Sequence, residues 1–349
     1  MGRCTGQAVG KRQVEQLAAR AAVDFDDFYA DRPPRRPEPG AVLILSCDGK
    51  GIVMRPDALR TATAKAAAAG NTKLATRLSK GEKRNRKRMA EVASVYDLEP
   101  VPRTPADILA SNDDPRPTPA PSATGKWVMA SVIGDAAAVV ARLFDEAQRR
   151  DPEHTRAWVA LVDGNNHQID RIRAEAHTRG TQVAIVVDFI HVLEYLWRAA
   201  WAFFDEADPA AETWVHDKAM AVLAGHATRV AAAIRRKATY HRLDVSRRLN
   251  AERCAKYLTN KAPTCYTYAL AQGWPIATGV IEGACRHMVK DRMDLTGARW
   301  GLDGAEAILK LRALHSNNDF DDYWTYHLAR EKRRNHETHY TNNLIPKAA

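Results

Sequence analysis

A chain of 349 residues, 45% of them hydrophobic, can close one large core or two smaller ones and reads as a globular protein. Its 52 Lys and Arg outnumber 42 Asp and Glu for a formal net charge of +10, which favours a polyanion such as nucleic acid over an acidic protein partner. With no long uncharged apolar run and no apolar core in the first residues, MGRCTGQAVGKRQVEQ, the reading is cytoplasmic with no membrane span. Cys4, Cys47, Cys254, Cys265 and Cys285 are odd in number, scattered and without a C-x-x-C pair, which argues against a disulfide frame or a zinc knuckle.

Taken in order, residues 11 to 30 carry Val14, Leu17, Ala18, Ala21, Ala22 and Phe25 at helical spacing, and one helix is predicted. Four prolines in DRPPRRPEPG end it, so residues 1–38 make a helical N-terminal arm with an extended linker. Next comes Ala41 to Met54, AVLILSCDGKGIVM. Val42 to Leu45 reads as a strand buried on both faces, and Gly49 and Gly51 predict a tight reversal into Ile52, Val53 and Met54. Asp48 then stands at the mouth of a hairpin, either as a turn opener or as a functional carboxylate. Cys47 beside it reads as a buried strand thiol.

An Ala-rich segment leads to LSKGEKRNRKRM, where Lys80, Lys83, Arg84, Arg86, Lys87 and Arg88 form the densest charge of the chain, a solvated loop or a phosphate-binding insertion. Ala90 to Leu98 alternates as a third strand, which completes a meander, and residues 103 to 126 read as a mobile Pro-rich connection. Helix is predicted from about Val128 to Arg150. A strand at Ala157 to Val162 closes on Asp163-Gly164, a helix runs from about Asn166 to His177, and a strand at Val183 to Val187 ends on Asp188. So compact a strand, helix, strand sequence reads as a right-handed unit with parallel strands. The order β-β-β-α-β-α-β, with acids ending the first, fourth and fifth strands, predicts an α/β fold with a ribonuclease H-like mixed sheet.

Residues 189 to 274 are helical by pattern and hold Trp197, Trp201, Trp214 and Trp274, read mainly as core. From Thr278, a possible N-cap, a helix carries Glu282 on a common face with Cys285, Arg286 and Val289. A last helix, Ala305 to His315, and an aromatic patch at Phe320 to Trp324 precede the tail REKRRNHETHY, expected to fray. The organisation predicted is an N-terminal helical arm (1–38), the first part of a catalytic core (39–191), an all-helical insertion (192–274), a Glu-bearing helix closing the core (275–330) and a charged tail (331–349).

Carboxylates converging from different elements of a rigid sheet suit divalent cations, which want oxygen ligands and relieve the repulsion between the acids. In a basic protein such a set fits phosphodiester chemistry better than a glycosidase-type acid and base pair.

VLILSCDGKGIVM, RAWVALVDGNNHQ, VAIVVDFIHVLEYLW, and GVIEGACRHMVKDRM followed by GARW resemble a bacterial insertion-sequence transposase of the DDE type. The resemblance is to the Kra family of insertion sequences, and more distantly to Mutator and hAT transposases, over about Lys11 to Leu328. It implies an Asp-Asp-Glu triad, two Mg²⁺ (or Mn²⁺) ions, DNA strand cleavage and transfer at element ends, and a homodimer or larger assembly on DNA. The first Asp maps to Asp48 and the Glu to Glu282. The second maps to Asp163, with Asp188 as the alternative, because Asp188-Phe189-Ile190-His191 fits the accessory motif that follows the fifth strand in Mutator- and hAT-like enzymes. In this reading Asp48 bridges both ions, Asp163 holds one and Glu282 the other. His191 orients Asp163 or a phosphate, or is a satisfied structural residue. Lys83, Arg84, Arg86, Lys87, Arg88, Lys290, Arg299 and Trp300 are candidate DNA contacts, and Asn165 and Asn166 candidate phosphate contacts. Related transposases generally carry an N-terminal DNA-binding region, where this chain has a short helix and a linker. Two other readings stand beside this one: a truncated, non-catalytic DNA-binding derivative, and a nuclease on the same core that cuts without joining.

Overall fold

One unbroken strand, β1 (Val42–Val53), runs through the middle of a five-stranded mixed sheet. The computed structural model describes residues 10–34, 40–69, 80–83, 86–110, 118–261, 266–295, 297–340 and 342. On one side of β1, β2 (Lys87–Leu98) pairs antiparallel with it and β3 (Ala123–Ser131) antiparallel with β2. On the other side, β4 (Trp158–Val162) pairs parallel with β1 and β5 (Val183–Val187) parallel with β4.

The reversal predicted at Gly49-Lys50-Gly51 does not occur. Neither glycine takes a positive φ, and β1 stays paired with β2 from Val42 opposite Leu98 to Val53 opposite Lys87. The glycines serve the sheet surface instead. A Cβ on Gly49 would stand 3.0 Å from Met89 Cε and one on Gly51 2.8 Å from Lys87 Cδ, so their absence makes room for long side chains of β2. The three antiparallel strands are therefore built from other segments than the sequence predicts. β2 absorbs the end of the basic run, and β3 replaces both the end of the expected connection and the start of the expected helix. Trp127, Val128, Met129 and Ala130 are all buried, Trp127 and Met129 in one core cluster and Val128 and Ala130 in another. A strand between two layers can bury consecutive residues this way, whereas a one-faced surface helix cannot.

The helices in order are α1 (Lys11–Ala21), α2 (Phe25–Ala30), α3 (Ala136–Arg150), α4 (Asn166–Thr178), α5 (Phe189–Ala200), α6 (Pro209–Leu223), α7 (Ala227–Tyr240), α8 (Val245–Lys261), α9 (Tyr266–Ala271), α10, α11 (Leu302–Ser316) and α12 (Phe320–Asn335). Helix α10 starts as Gly279–Ala284, widens into a π-helical turn at Cys285–Lys290 and ends at Asp291–Met293. Shorter helices at Thr61–Ala68, Lys80–Lys83 and Pro105–Leu109 lie in the connections.

Alternate residues of β1 feed different cores, which explains the apolar run Val42 to Leu45. Leu43, Leu45 and Cys47 pack under α3 and α4, while Val42 and Ile44 share a core with α5 to α9, so the long helical segment covers one face of the sheet. Further along, Ile52 packs with α2, α10 and α11 in a third cluster. A buried ionic group locks the opposite end of the sheet: Asp97 pairs with Arg150 at 2.8 Å and Arg156 at 2.6 Å, and Arg150 with Glu146 at 2.7 Å.

Two terminal expectations also change. The single helix predicted over 11–30 breaks between α1 and α2, where Asp24 is 2% exposed and turned into ion pairs with His327 and Arg334. The tail expected to fray is helical through Asn335, because Arg334 holds Asp24 with two hydrogen bonds of 2.7 and 2.8 Å and Arg330 holds Asp27 at 2.6 Å. The segment between α1 and α2 thus packs against α12. Among the described residues no helix is long and apolar enough to cross a membrane.

Candidate active site

Strand register brings three acids to one level. The ladder between β1 and β4 ends at Leu45 opposite Ala160, three residues before Asp48 and Asp163, and that between β4 and β5 ends at Val162 opposite Val187, one residue before Asp163 and Asp188. Asp48 lies within β1, not at a turn. Its Oδ1 accepts the Gly49 N–H at 2.7 Å and its Oδ2 the Cys285 thiol at 3.3 Å. Burial, then the Asp48 charge, pushes the Cys285 thiol up, and burial pushes Cys47 up to about 12, so both are neutral packing thiols at neutral pH.

Asp163 sits on a turn that needs Gly164, whose φ is +89°. Asp163 Oδ1 accepts the Asn165 N–H at 2.8 Å, and the Tyr257 hydroxyl of α8 donates to the Asp163 carbonyl at 3.4 Å. Asn165 in turn caps α4, and Asn166 accepts from Lys261. Asp188 is fully buried and caps α5 through the Ile190 N–H at 2.8 Å. Its other oxygen accepts the hydroxyl of Thr278, which also lies 3.3 Å from Glu282 Oε1. Thr278 precedes α10 as the sequence predicts, yet its side chain makes no cap hydrogen bond to the helix.

Asp48, Asp163, His191 and Glu282 line one cleft of about 410 Å³ together with Lys50, Arg286 and Lys290. Cations therefore stand beside the carboxylates, an arrangement that can hold an anionic group. Asp188 backs this cleft behind Thr278. Among the described residues, the three ligating side chains that bring one ligand atom each within 4.8 Å of the others are Asp188, His191 and Glu282, not Asp48, Asp163 and Glu282. Carboxylate oxygens with one imidazole nitrogen are donors that Mg²⁺ or Mn²⁺ accept, so a metal ion fits this group.

The other predicted contacts scatter. Arg88 donates to the Val132 carbonyl at 2.8 Å, Lys87 lies 4.0 Å from Asp294, and Lys83 and Arg86 are half-buried at the entry to β2. Arg84 lies outside the described residues. Trp300 extends the edge of the sheet by accepting the Arg55 N–H at 2.8 Å and donating its own to Val53 at 3.1 Å, and Arg299 is exposed beside it. Sequence reasoning missed Thr278 as a partner of Asp188, the Cys285 contact to Asp48, Tyr257 and the cation Lys50, and it placed Arg286 on the face of Glu282 without a role. The one available signal was proximity, since Lys50 lies two residues from Asp48 and Thr278 four before Glu282.

A larger cleft of about 750 Å³ opens beside the start of β3, away from these acids. Both acids that line it are held in ion pairs, Asp319 by Arg32 and Glu146 by Arg149 and Arg150. The chemistry therefore points to the smaller cleft. Comparison with protein-family models, with curated proteins and with solved structures gives no match.

Proposed function

We propose that this protein is a DDE-type transposase: a ribonuclease H-like core that cleaves DNA at element ends and transfers the strand, with divalent cations as cofactor. One observation carries the reading: Asp48, Asp163 and Glu282, taken from β1, the end of β4 and α10, line one cleft with three cations. The sheet order β3-β2-β1-β4-β5, three antiparallel strands continued by two parallel ones, supports the fold assignment, and the net charge of +10 supports DNA as partner.

Asp48 and Asp163 are the residues for one ion, and Glu282, next to His191 and Asp188, for the other. When bound, two such ions activate a water or 3′-hydroxyl and stabilise the leaving oxygen of an in-line displacement. The chain itself supplies the rest. Lys50, Arg286 and Lys290 hold the phosphate, the sheet fixes the acids, and Cys285 holds one oxygen of Asp48 until substrate enters. Asp163 is favoured as second catalytic acid because it lines the cleft, whereas Asp188 is fully buried behind Thr278.

A plasmid carrying the gene with its native flanks, incubated with the full chain and Mg²⁺ or Mn²⁺, tests this. Cleavage and joined products are expected from wild type, with a loss of about a hundredfold or more in Asp48→Asn and Asp163→Asn. Cleavage without joined product would favour the nuclease reading. Binding of the flanks with no cleavage under either metal would overturn the enzyme assignment in favour of the non-catalytic derivative.

A further inference from the structure

We infer that the DNA-free protein takes up a single divalent cation at Asp188, His191 and Glu282, that His191 makes this site prefer Mn²⁺ or another transition ion to Mg²⁺, and that Asp48 and Asp163 are not needed for it. This deepens the reading above by assigning the order and selectivity of metal uptake.

Geometry carries the placement. These three side chains already bring a ligand atom each within 4.8 Å of the others, before any rearrangement. They also grade from closed to open: Asp188 is buried, His191 half-buried and Glu282 exposed, so an ion has both a fixed floor and an entry side. Asp48 and Asp163, in the same cleft, join no such group among the described residues, so an ion at that pair waits for the further ligands that a phosphate in the cleft adds.

Selectivity follows from the donor type. Mg²⁺ holds its water tightly and favours oxygen-only sites, whereas an imidazole nitrogen raises affinity along the series from Mn²⁺ to Zn²⁺. Glu194 stands close to the same imidazole, its Oε2 3.6 Å from His191 Nδ1. An Asp three residues before a His at the start of a helix thus has a reason beyond capping: the Asp caps α5 while the His, one turn on, faces the same ion as Glu282.

The test needs no DNA. Mn²⁺ is titrated into the full-length protein and free Mn²⁺ is read by electron paramagnetic resonance, with Mg²⁺ as competitor. One bound ion is expected, displaced by Mg²⁺ only in large excess. His191→Ala should weaken Mn²⁺ by about tenfold or more and Mg²⁺ by less, so that the preference shrinks. Asp48→Asn and Asp163→Asn should keep Mn²⁺ affinity within about twofold of wild type. Glu282→Gln, on the exposed side of the site, gives a second reading of placement if His191→Ala fails to fold. Loss of Mn²⁺ binding in Asp48→Asn, an unchanged Mn²⁺ to Mg²⁺ preference in His191→Ala, or undiminished binding in Glu282→Gln would overturn the inference. Because binding is read without substrate, a protein that binds as described yet never cuts DNA would sink the transposase reading alone. A protein that cuts but takes its first ion through Asp48 would sink this one alone.

Discussion

Thr278→Val removes one hydroxyl from the back of the cleft and nothing else of comparable size. That hydroxyl is 4% exposed as part of its residue, donates to a fully buried Asp188 and lies 3.3 Å from Glu282 Oε1. It carries one proton for two carboxylates, so its loss leaves Asp188 with only the Ile190 N–H. A hydrogen bond to a charged group contributes about 1.5–3 kcal/mol, and the buried acceptor left behind keeps its desolvation cost, so about 2 kcal/mol is the expected loss. Unfolding entropy of about 2.1 cal/mol/K per residue gives about 0.7 kcal/mol/K for 349 residues, hence a Tm lower by about 3 °C. Differential scanning calorimetry of wild type, Thr278→Val and Thr278→Ser measures it. The Ser variant keeps the proton and should lie close to wild type, and saturating Mn²⁺ should narrow the gap for the Val variant because a cation takes over the compensation. A Val variant that melts within about 1 °C of wild type, or a Ser variant that falls as far as Val, would refute the argument.

Two further outcomes follow from the geometry. Gly164→Ala places a Cβ 3.0 Å from the Tyr257 hydroxyl and 3.1 Å from Val187 Cγ1 at a φ of +89°, and should cost about 2–3 kcal/mol in urea denaturation. Gly180→Ala, at φ +63° with nothing within 4 Å of its Cβ, is the control and should cost about 1–2 kcal/mol; equal losses would mean that the contacts around Asp163 do not matter. Where α12 meets the turn before α2, Arg334 first and His327 second hold the Asp24 carboxyl below its usual range against the effect of burial. A depressed carboxylate stabilises above its unfolded pKa of about 3.9 and loses that contribution as the pH falls toward its folded value. The stability deficit of Arg334→Ala, read from urea midpoints, should therefore be full above about pH 5 and shrink below about pH 4. A deficit that stays constant down to about pH 2 would mean that Asp24 is not its source.

What the sequence made legible were elements whose signal is local. Val183 to Val187 and its neighbour at Trp158 to Val162 are short apolar runs stopped by Asp, and both are strands within a residue of their expected ends. Since parallel strands in register end at one level, the convergence of Asp163 and Asp188 was readable too. The misreadings share a cause: the deciding partner is far along the chain. Asp48-Gly49 carries the commonest hairpin signal, but Gly49 is paired with Glu91 along twelve residues of β2, which outweighs a turn preference. Residues 127 to 131 of β3 are buried without a break because both of their faces are covered, which hides the alternation that would mark a strand. The charged tail was expected to fray because nothing near it in sequence could hold it; its partners Asp24 and Asp27 lie at the other end of the chain. For the site, the missed contacts are again long-range: Cys285 reaches Asp48 and Thr278 reaches Asp188 from the far side of the helical segment.

That helical segment is more than a spacer between β5 and the Glu-bearing helix. Tyr257 and Lys261 of α8 close over the Asp163 turn, one by donating to its carbonyl and the other by donating to Asn166. Burial raises the Tyr257 hydroxyl well above its ordinary range, so it remains a donor at any physiological pH. Tyr266 of α9 donates to the Val187 carbonyl at 2.8 Å, immediately before Asp188, and Phe189 bonds through its N–H to Ile276 at 2.8 Å. Both acid-bearing strand ends, those of β4 and β5, are thus held from outside the sheet by one layer of helices, and that layer continues through Ile276 into Thr278 and Glu282. Register alone sets the acids at a common level but leaves the turns after β4 and β5 free to choose a direction. The tyrosines fix that direction, which makes the helical layer a structural part of the site and ties the position of Glu282 to that of Asp163 and Asp188.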